Sequence, residues 1–148
     1  LIGVNKINEL INGNIYFKCY IHFMRKYILA GGSFALLAVV LGAFASHALK
    51  AYFSTEVLAS FQTGIRYMMY HGLALLIFSQ LPLARNPLIF RLFVWGVVLF
   101  SFSIFVLCLG KLTSFDFSFL APITPLGGSL LILGWLAFIW KSFQDKME

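Results

Sequence analysis

Long apolar runs separated by short polar segments dominate the chain. Four such runs cover approximately residues 27–48, 65–81, 92–109 and 124–141. At about 1.5 Å of rise per residue, helices of these lengths approach or exceed the ~30 Å thickness of a bilayer core. A helix also satisfies its own backbone hydrogen bonds, which lipid requires. The pattern therefore predicts an all-α protein, an integral membrane bundle of four transmembrane helices.

Helix-start signals mark two further features of the pattern. Between the first two runs, the apolar residues of Lys50 to Gly64 are spaced so that they share one face of a helix. Ser54 is the expected N-cap of this helix, and Gly64 is the expected end. This predicts a short amphipathic helix at the interface or folded back on the bundle. Thr124 is the expected N-cap of the fourth span, with Pro125 at its first helical position.

The N-terminal residues 1–23 differ from the rest of the chain. They mix asparagines with apolar residues in no clear period, whereas Met24 opens a stretch of two cations and a long apolar run. We expect 1–23 to be a dispensable extension and 24–148 to form the membrane domain. The alternative for residues 1–23 is a short interfacial helix. For the first span, the competing interpretation is a secretory signal that begins at Arg25-Lys26 and is cleaved near Ala43-Phe44-Ala45.

Composition strengthens the membrane interpretation. The chain of 148 residues is 61% hydrophobic and 11% charged, with a mean hydropathy of +0.91. Soluble domains are about half apolar and roughly a quarter charged. The net charge of +6 could suggest a nucleic-acid partner. We expect none, because the cations are scattered at segment ends rather than gathered in a stripe. The expected partners are the lipid bilayer and either a second copy or another membrane protein.

The distribution of the cations predicts the orientation. Six lie at the ends and loop on one side, and three lie on the other. Cytoplasmic loops are enriched in lysine and arginine, so both termini are expected in the cytoplasm. The first group is Arg25, Lys26, Arg85, Arg91, Lys141 and Lys146, and the second is Lys50, Arg66 and Lys111.

Small residues recur every three or four positions in two spans, which is typical of close helix packing in lipid. We expect helix contacts at Gly31, Ala35, Ala38, Gly42, Gly127, Gly128 and Gly134.

Polar side chains gather where the first span ends and the second begins. The candidate ligand or structural cluster is His47, Arg66, Tyr67, Tyr70 and His71. Histidine changes charge near neutral pH and arginine holds anions, so one interpretation is a ligand or proton site. The other is architectural, with Arg66 reaching the headgroups and the histidines bonded between helices. In either case we expect His47, Arg66 and His71 to meet inside the bundle.

Other chemistries find little support in the sequence. Haem ligation by two histidines has no second indication, and two histidines are too few for a metal site. No serine or cysteine nucleophile has a base near it in sequence, and no glycine-rich phosphate loop follows a strand. We therefore expect no catalytic residue, no cofactor, no metal and no enzymatic activity.

Three segments resemble the signature of a known family. Gly42 to Leu49 resembles "GAFGAHAL", Arg66 to Leu75 resembles "RYQMYHALAL", and Ile123 to Gly128 followed by Gly134-Trp135 resembles "ITPIGG…GW". In this order they resemble the small bacterial multipass membrane family catalogued as domain of unknown function 423, which has relatives among small eukaryotic transmembrane proteins. The similarity covers roughly Met24 to Trp140.

The resemblance implies a bacterial inner-membrane protein and assigns no catalytic residue. Ala45 and Ser46 stand where the family has Gly and Ala. Phe102 and Phe105 stand where Gly and Tyr are expected, which puts in doubt tight packing or a polar role in the middle of the third span. Functionally, we expect a non-catalytic membrane or envelope component. The alternative is a small transporter or channel-like protein that uses the polar cluster.

Overall fold

The computed structural model describes residues 2–81, 86–113 and 115–144, with side-chain surroundings given from residue 13 onward except at 14, 16 and 19. It is all-helical across these ranges. Helix α1 runs Ile2–His47, α2 Thr55–Phe78, α3 Pro87–Gly110 and α4 Ile123–Gln144. Short 3₁₀ turns at Leu49–Ala51 and Ser118–Leu120 lie in the connections. The predicted membrane bundle of four helices is confirmed.

Two of the cations that predict the orientation, Arg85 and Lys146, lie outside the described residues. The orientation itself stays a prediction.

Consecutive helices are antiparallel. Gly31 of α1 meets Gly72 of α2, while Gly42, further along α1, lies near Ile65, which is earlier in α2. The same reversal relates α3 to α4, where Phe100 lies against Gly127 and Phe93 lies against Gly134. Helix α2 packs along α1 and α3, contacts α4 through side chains such as His71 with Trp135, and contributes eight buried residues. It is therefore the central helix of the bundle.

Close backbone approach explains where small residues stand. A Cβ atom on Gly31 would lie 2.6 Å from the carbonyl oxygen of Gly72, and one on Gly127 would lie 2.3 Å from the backbone nitrogen of Phe100. Such distances admit no side chain, so the helices touch through their backbones at these points. In α1, Gly31, Ala38 and Ala45 are buried at seven-residue intervals, which is the spacing of a supercoiled helix seam.

Lipid-facing positions are occupied by large apolar side chains. On α1, for example, Leu36 is 65% exposed and Val39 is 61% exposed, and on α4 Ile132 is 62% exposed. In water this much apolar surface on a small chain would drive association. In a bilayer it faces a matching solvent. Within the described parts of the chain, three helices combine the length and hydropathy of a membrane span: Tyr20–Ala51, Pro87–Gly110 and Ser118–Gln144.

Helix α2 falls outside that group because polar residues lower its mean hydropathy. Gln62, Arg66 and His71 interrupt its apolar sequence. Its burial by the other helices compensates for its lower hydropathy, since a central helix contacts less lipid. The membrane assignment of α2 thus rests on its position in the bundle as well as on its length.

Two predicted helix boundaries are wrong. The segment 55–64 is not a separate amphipathic helix, because α2 runs without a break from Thr55 to Phe78. Gly64 does not stop the helix; it is buried, and a Cβ there would lie 2.6 Å from the ring of Phe105. The predicted cap at Ser54 is present, and its side chain accepts a hydrogen bond from the Val57 backbone N–H at 3.4 Å.

The start of the fourth span also differs from the prediction. Helix α4 begins at Ile123, so Thr124 lies inside its first turn rather than at the cap. The Thr124 hydroxyl is 2.7 Å from the hydroxyl of Ser103 on α3 and so joins two helices. Pro125 is tolerated because the first turn of a helix needs no N–H partner there.

Residues 2–23 are helical and continuous with the first span, so α1 spans 46 residues or about 69 Å. The described side chains at its start are mostly exposed, among them Ile15, Phe17 and Ile21. Phe23 packs on Tyr27, with ring centroids 4.5 Å apart. Whether this extension is dispensable stays a prediction.

Candidate functional site

Histidine 71 is the one member of the predicted polar cluster that is buried, at 7% exposure. Its Nδ1 lies 2.8 Å from the carbonyl oxygen of Tyr67, one turn earlier in α2. Its Nε2 lies 3.3 Å from the indole nitrogen of Trp135 on α4. An indole N–H only donates, so Nε2 must accept and Nδ1 must carry the proton that goes to the carbonyl. The two contacts together assign one neutral tautomer.

Aromatic rings enclose this histidine. Its ring centroid is 5.7 Å from that of Phe93 on α3, 6.3 Å from that of Trp135 and 5.8 Å from that of Tyr67. The hydrogen-bonded pair of His71 and Trp135 is therefore surrounded by aromatic rings from α2, α3 and α4. Water and solutes have little access to a ring that is both packed and hydrogen-bonded on each nitrogen.

Arginine 66 lies elsewhere on α2 and is exposed. Its Nη2 donates to the hydroxyl of Thr63 at 3.0 Å. It borders a cleft of about 200 Å³ between α1 and α2, which we call the Arg66 cleft; the cleft is lined by Gly42, Ala45, Ser46, Gln62, Ile65 and Arg66. The Arg66 guanidinium is thus bonded within α2 at the edge of this cleft, whereas His71 faces α3 and α4.

The expectation that His47, Arg66 and His71 meet inside the bundle is wrong for two of the three. Arg66 and His71 are five residues apart, which places them about 140° apart around the helix axis. They consequently point to different neighbours. His47, the last residue of α1, is exposed.

The two tyrosines of the cluster also separate. Tyr67 is 41% exposed, and its ring packs between His71 and Phe100, at 4.6 Å from the latter. Tyr70 is 61% exposed and faces outward. The predicted cluster is therefore three sites: a buried His71 with Tyr67, the Arg66 cleft, and isolated exposed groups at His47 and Tyr70.

A second polar network joins α2, α3 and α4. The Ser101 hydroxyl donates to the carbonyl of Gly64 at 2.9 Å, and both residues are buried. Ser103 bonds to Thr124 and also donates to the carbonyl of Phe100 at 3.0 Å. These contacts lie at or next to a π-helical segment of α3, Val98–Phe102. A π-helical turn redirects side chains and often marks a special position in a helix.

The doubt that the sequence raised about the middle of the third span is not upheld. Phe102 is exposed, but its neighbours Ser101 and Ser103 are buried and bonded to other helices. Phe105 fills the space opposite Gly64. Tight packing and polar contacts therefore both occur here, and neither serine was singled out by sequence reasoning.

The predicted packing positions differ in how closely they approach a neighbour. A Cβ would be too close at Gly31, Gly127 and Gly134. At Gly42 the nearest atom would be 3.9 Å away and at Gly128 it would be 3.5 Å away, both ordinary contact distances. Ala38 is buried, and Ala35 is half-buried against Gly72.

The loop before α4 holds an ionised carboxylate outside the spans. The hydroxyl and then the backbone N–H of Ser118 bond to Asp116, with a smaller effect of Lys111, and hold the pKa of that carboxyl below its usual value. Asp116 is therefore ionised at neutral pH. Within the described residues, no three histidine, cysteine, aspartate or glutamate side chains are grouped as metal ligands.

The chain is similar to a known protein family. The family model described as "Protein of unknown function (DUF423)" matches residues 41–128, which include α2, α3 and the facing end of α1. No solved structure matches the chain.

Several bacterial relatives match over most of their length. A UPF0382 membrane protein of Staphylococcus aureus (strain bovine RF122 / ET3-1) is 34% identical over 128 residues, covering 82% of this chain and 98% of the relative. The UPF0382 membrane protein YwdK of Bacillus subtilis is 35% identical over 121 residues, covering 78% and 94%. A UPF0382 membrane protein of Haemophilus influenzae is 32% identical over 125 residues, covering 82% and 96%. The chain belongs to this family of membrane proteins of unknown function, DUF423.

Proposed function

We propose that the protein is a non-catalytic component of the bacterial inner membrane, whose polar side chains at membrane depth hold its helices together. The observation that carries this proposal is the environment of His71. Both ring nitrogens already have partners, Tyr67 and Trp135, and aromatic rings surround the side chain. A general base or proton carrier needs a nitrogen that can reach substrate or water.

The other buried polar groups support the same view. The hydroxyls of Ser101 and Ser103 are bonded to Gly64 and Thr124. Among the described residues, every buried side-chain nitrogen or oxygen has a hydrogen-bond partner. Polar groups in lipid are costly unless bonded, and bonds between helices remove that cost. The buried polar groups are therefore used in bonds that hold the bundle together, and none of those described is left unbonded for a substrate.

We place both termini in the cytoplasm. The argument is the excess of lysine and arginine on the side that would hold the α2–α3 connection and both chain ends. In this orientation the Arg66 cleft opens toward the outer leaflet, since α1 ends and α2 begins on the outer side.

Transport through the polar cluster ranks second. It would need His71, Arg66 and His47 to line one path, and the three side chains lie on different faces or ends of their helices. Intramembrane carboxylates, which commonly relay protons, do not occur in the described parts of the four helices at membrane depth.

A flux assay separates the two functions. The full chain is reconstituted in liposomes that contain a pH-sensitive dye. A pH gradient is then applied across the membrane, together with a potassium diffusion potential. We expect the gradient to decay at the rate seen in protein-free liposomes of the same lipid. A faster decay that His71→Ala abolishes would contradict the proposal, and Tyr70→Phe, an exposed change on the same helix, serves as the matched control.

A further inference from the structure

The Arg66 cleft combines a cation with neutral hydrogen-bond donors. Arg66 borders the cleft with a guanidinium that has five N–H groups, one of them bonded to the Thr63 hydroxyl, and Gln62 adds an amide and Ser46 a hydroxyl. Among the residues that the structure describes, no acidic side chain lines the cleft. Glu56, the acidic residue nearest in sequence, borders a different cleft with Lys111 and Cys108. The donors of the Arg66 cleft therefore match an anion with several acceptor oxygens.

The depth of Arg66 indicates where that anion comes from. Ile65, its neighbour, is level with Gly42, which is five residues or about 7.5 Å before the end of α1. Gly42 lies inside an apolar membrane span. Gln62 and Ser46 lie one helical turn nearer the surface than Arg66 and Gly42, so the cleft extends from Arg66 toward the headgroup layer. This is the path that an arginine side chain takes when it reaches for the interface.

Small side chains create the space. Gly42 and Ala45 of α1 face the cleft, and a Cβ on Gly42 would meet its nearest atom only at 3.9 Å. The volume of about 200 Å³ is that of a small polar group rather than of a whole lipid. The acyl chains of a lipid whose headgroup entered the cleft would lie against the exposed apolar surface of α1 beside it, which includes Val39, about 60° around the helix from Gly42.

We propose that the Arg66 cleft binds the phosphate of an anionic phospholipid of the phosphatidylglycerol type, with Arg66 as the principal ligand and Gln62 and Ser46 as additional donors. Arginine binds phosphate through two parallel N–H contacts, and such charge-assisted bonds are the strong ones. A zwitterionic lipid offers the same phosphate but adds an ammonium group, which the cationic cleft disfavours. The inference requires the chain to be in a bilayer and does not depend on the absence of catalysis.

Native mass spectrometry of the detergent-purified full chain tests this binding. Dioleoyl phosphatidylglycerol and dioleoyl phosphatidylcholine are titrated separately, and bound lipid is counted per protein. We expect tighter binding of phosphatidylglycerol, and Arg66→Gln should weaken it by about tenfold, the effect of one charge-assisted contact. Arg66→Lys should weaken it less, because the charge remains while the paired geometry is lost.

Two further variants test whether binding depends on the position of the cation and on the space in the cleft. Arg91→Gln removes one cation from an exposed position on α3 at the other end of the bundle, and it should bind phosphatidylglycerol within about twofold of the parent chain. Gly42→Leu fills the cleft but leaves Arg66 in place, and it should lose binding as Arg66→Gln does. Each variant is first checked for an unchanged thermal unfolding midpoint without lipid.

Three results would overturn the proposal. They are equal phosphatidylglycerol binding by the parent chain and Arg66→Gln, equal binding of the two lipids by the parent chain, and equal thermal stabilisation by inorganic phosphate and by phosphatidylglycerol. The last would identify a site for small soluble anions. None of these results alters the outcome of the proton-flux assay, so the two proposals fail separately.

Discussion

At the scale of single residues, His71 shows how a polar group is stabilised inside a membrane bundle. Its ring donates to Tyr67 in its own helix and accepts from Trp135 in another. Hydrogen bonds between membrane helices contribute about 0.6 kcal/mol on average and up to about 1.7 kcal/mol. The aromatic packing around the ring adds to this and excludes water. The pair therefore links α2 to α4 with a defined rotation of each helix.

A double-mutant cycle measures this link. His71→Ala, Trp135→Phe and the double variant are unfolded reversibly in mixed micelles, and their free energies of unfolding are compared. We expect His71→Ala to lose about 2–3 kcal/mol, since it removes both bond and packing. The coupling between the two positions should be about 0.6–1.7 kcal/mol.

The control for that cycle is Tyr70→Phe, which removes a hydroxyl from an exposed side chain and should change stability by less than about 0.5 kcal/mol. A coupling free energy near zero, with His71→Ala as stable as the parent chain, would show that His71 does not stabilise the helix bundle.

Sequence reasoning could select His71 because ionisable residues are rare at membrane depth. It could not name Trp135, which lies 64 residues further along the chain. Indole nitrogens at such positions are usually interface anchors, and only the packing of α2 beside α4 brings this one to the histidine. For the same reason the sequence grouped Arg66 with His71, although the helix places them on different sides.

At the scale of elements, the positions of the spans follow from hydropathy, whereas their interruptions follow from packing. The π-helical segment Val98–Phe102 has no proline or glycine to announce it. It lies where α4 approaches most closely, at Gly127, and where Ser101 reaches α2. Gly64 likewise looked like a helix stop, but it makes room for Phe105. Local signals cannot distinguish a glycine that ends a helix from one that admits a neighbour.

Adjacent glycines of α4 provide a matched test of this packing. Gly127→Ala would place a Cβ 2.3 Å from the backbone nitrogen of Phe100, and Gly128→Ala would place one 3.5 Å from the Phe100 ring. We expect Gly127→Ala to destabilise the bundle by about 1–3 kcal/mol, as overpacking does. Gly128→Ala should be neutral or slightly stabilising, since alanine is the better helix former by about 1 kcal/mol.

The readout for the two glycine variants is again the free energy of unfolding in mixed micelles. Equal effects of the two substitutions would mean that α3 and α4 do not approach through their backbones at Gly127.

At the scale of the whole molecule, the bundle reverses the arrangement of a soluble domain. Large apolar side chains cover the outside, and α2, whose apolar sequence is interrupted by Gln62, Arg66 and His71, lies at the centre in contact with all three others. This explains why hydropathy identifies three spans whereas the structure has four helices of membrane length or near it. The sequence predicted four spans because it weighted the apolar half of α2, and it could not show that the polar half is sheltered by its neighbours.

The number of spans determines on which side each end of the chain lies, so topology mapping shows whether α2 crosses the membrane. Reporter fusions are made after Lys50, Pro82, Lys111 and Lys141, together with one at the N-terminus. We predict outside, inside, outside and inside for the four positions, with the N-terminus inside. If α2 does not cross the membrane, the reporters at Lys50 and Pro82 will lie on the same side and the two chain ends on opposite sides, which would contradict a four-helix membrane bundle centred on α2.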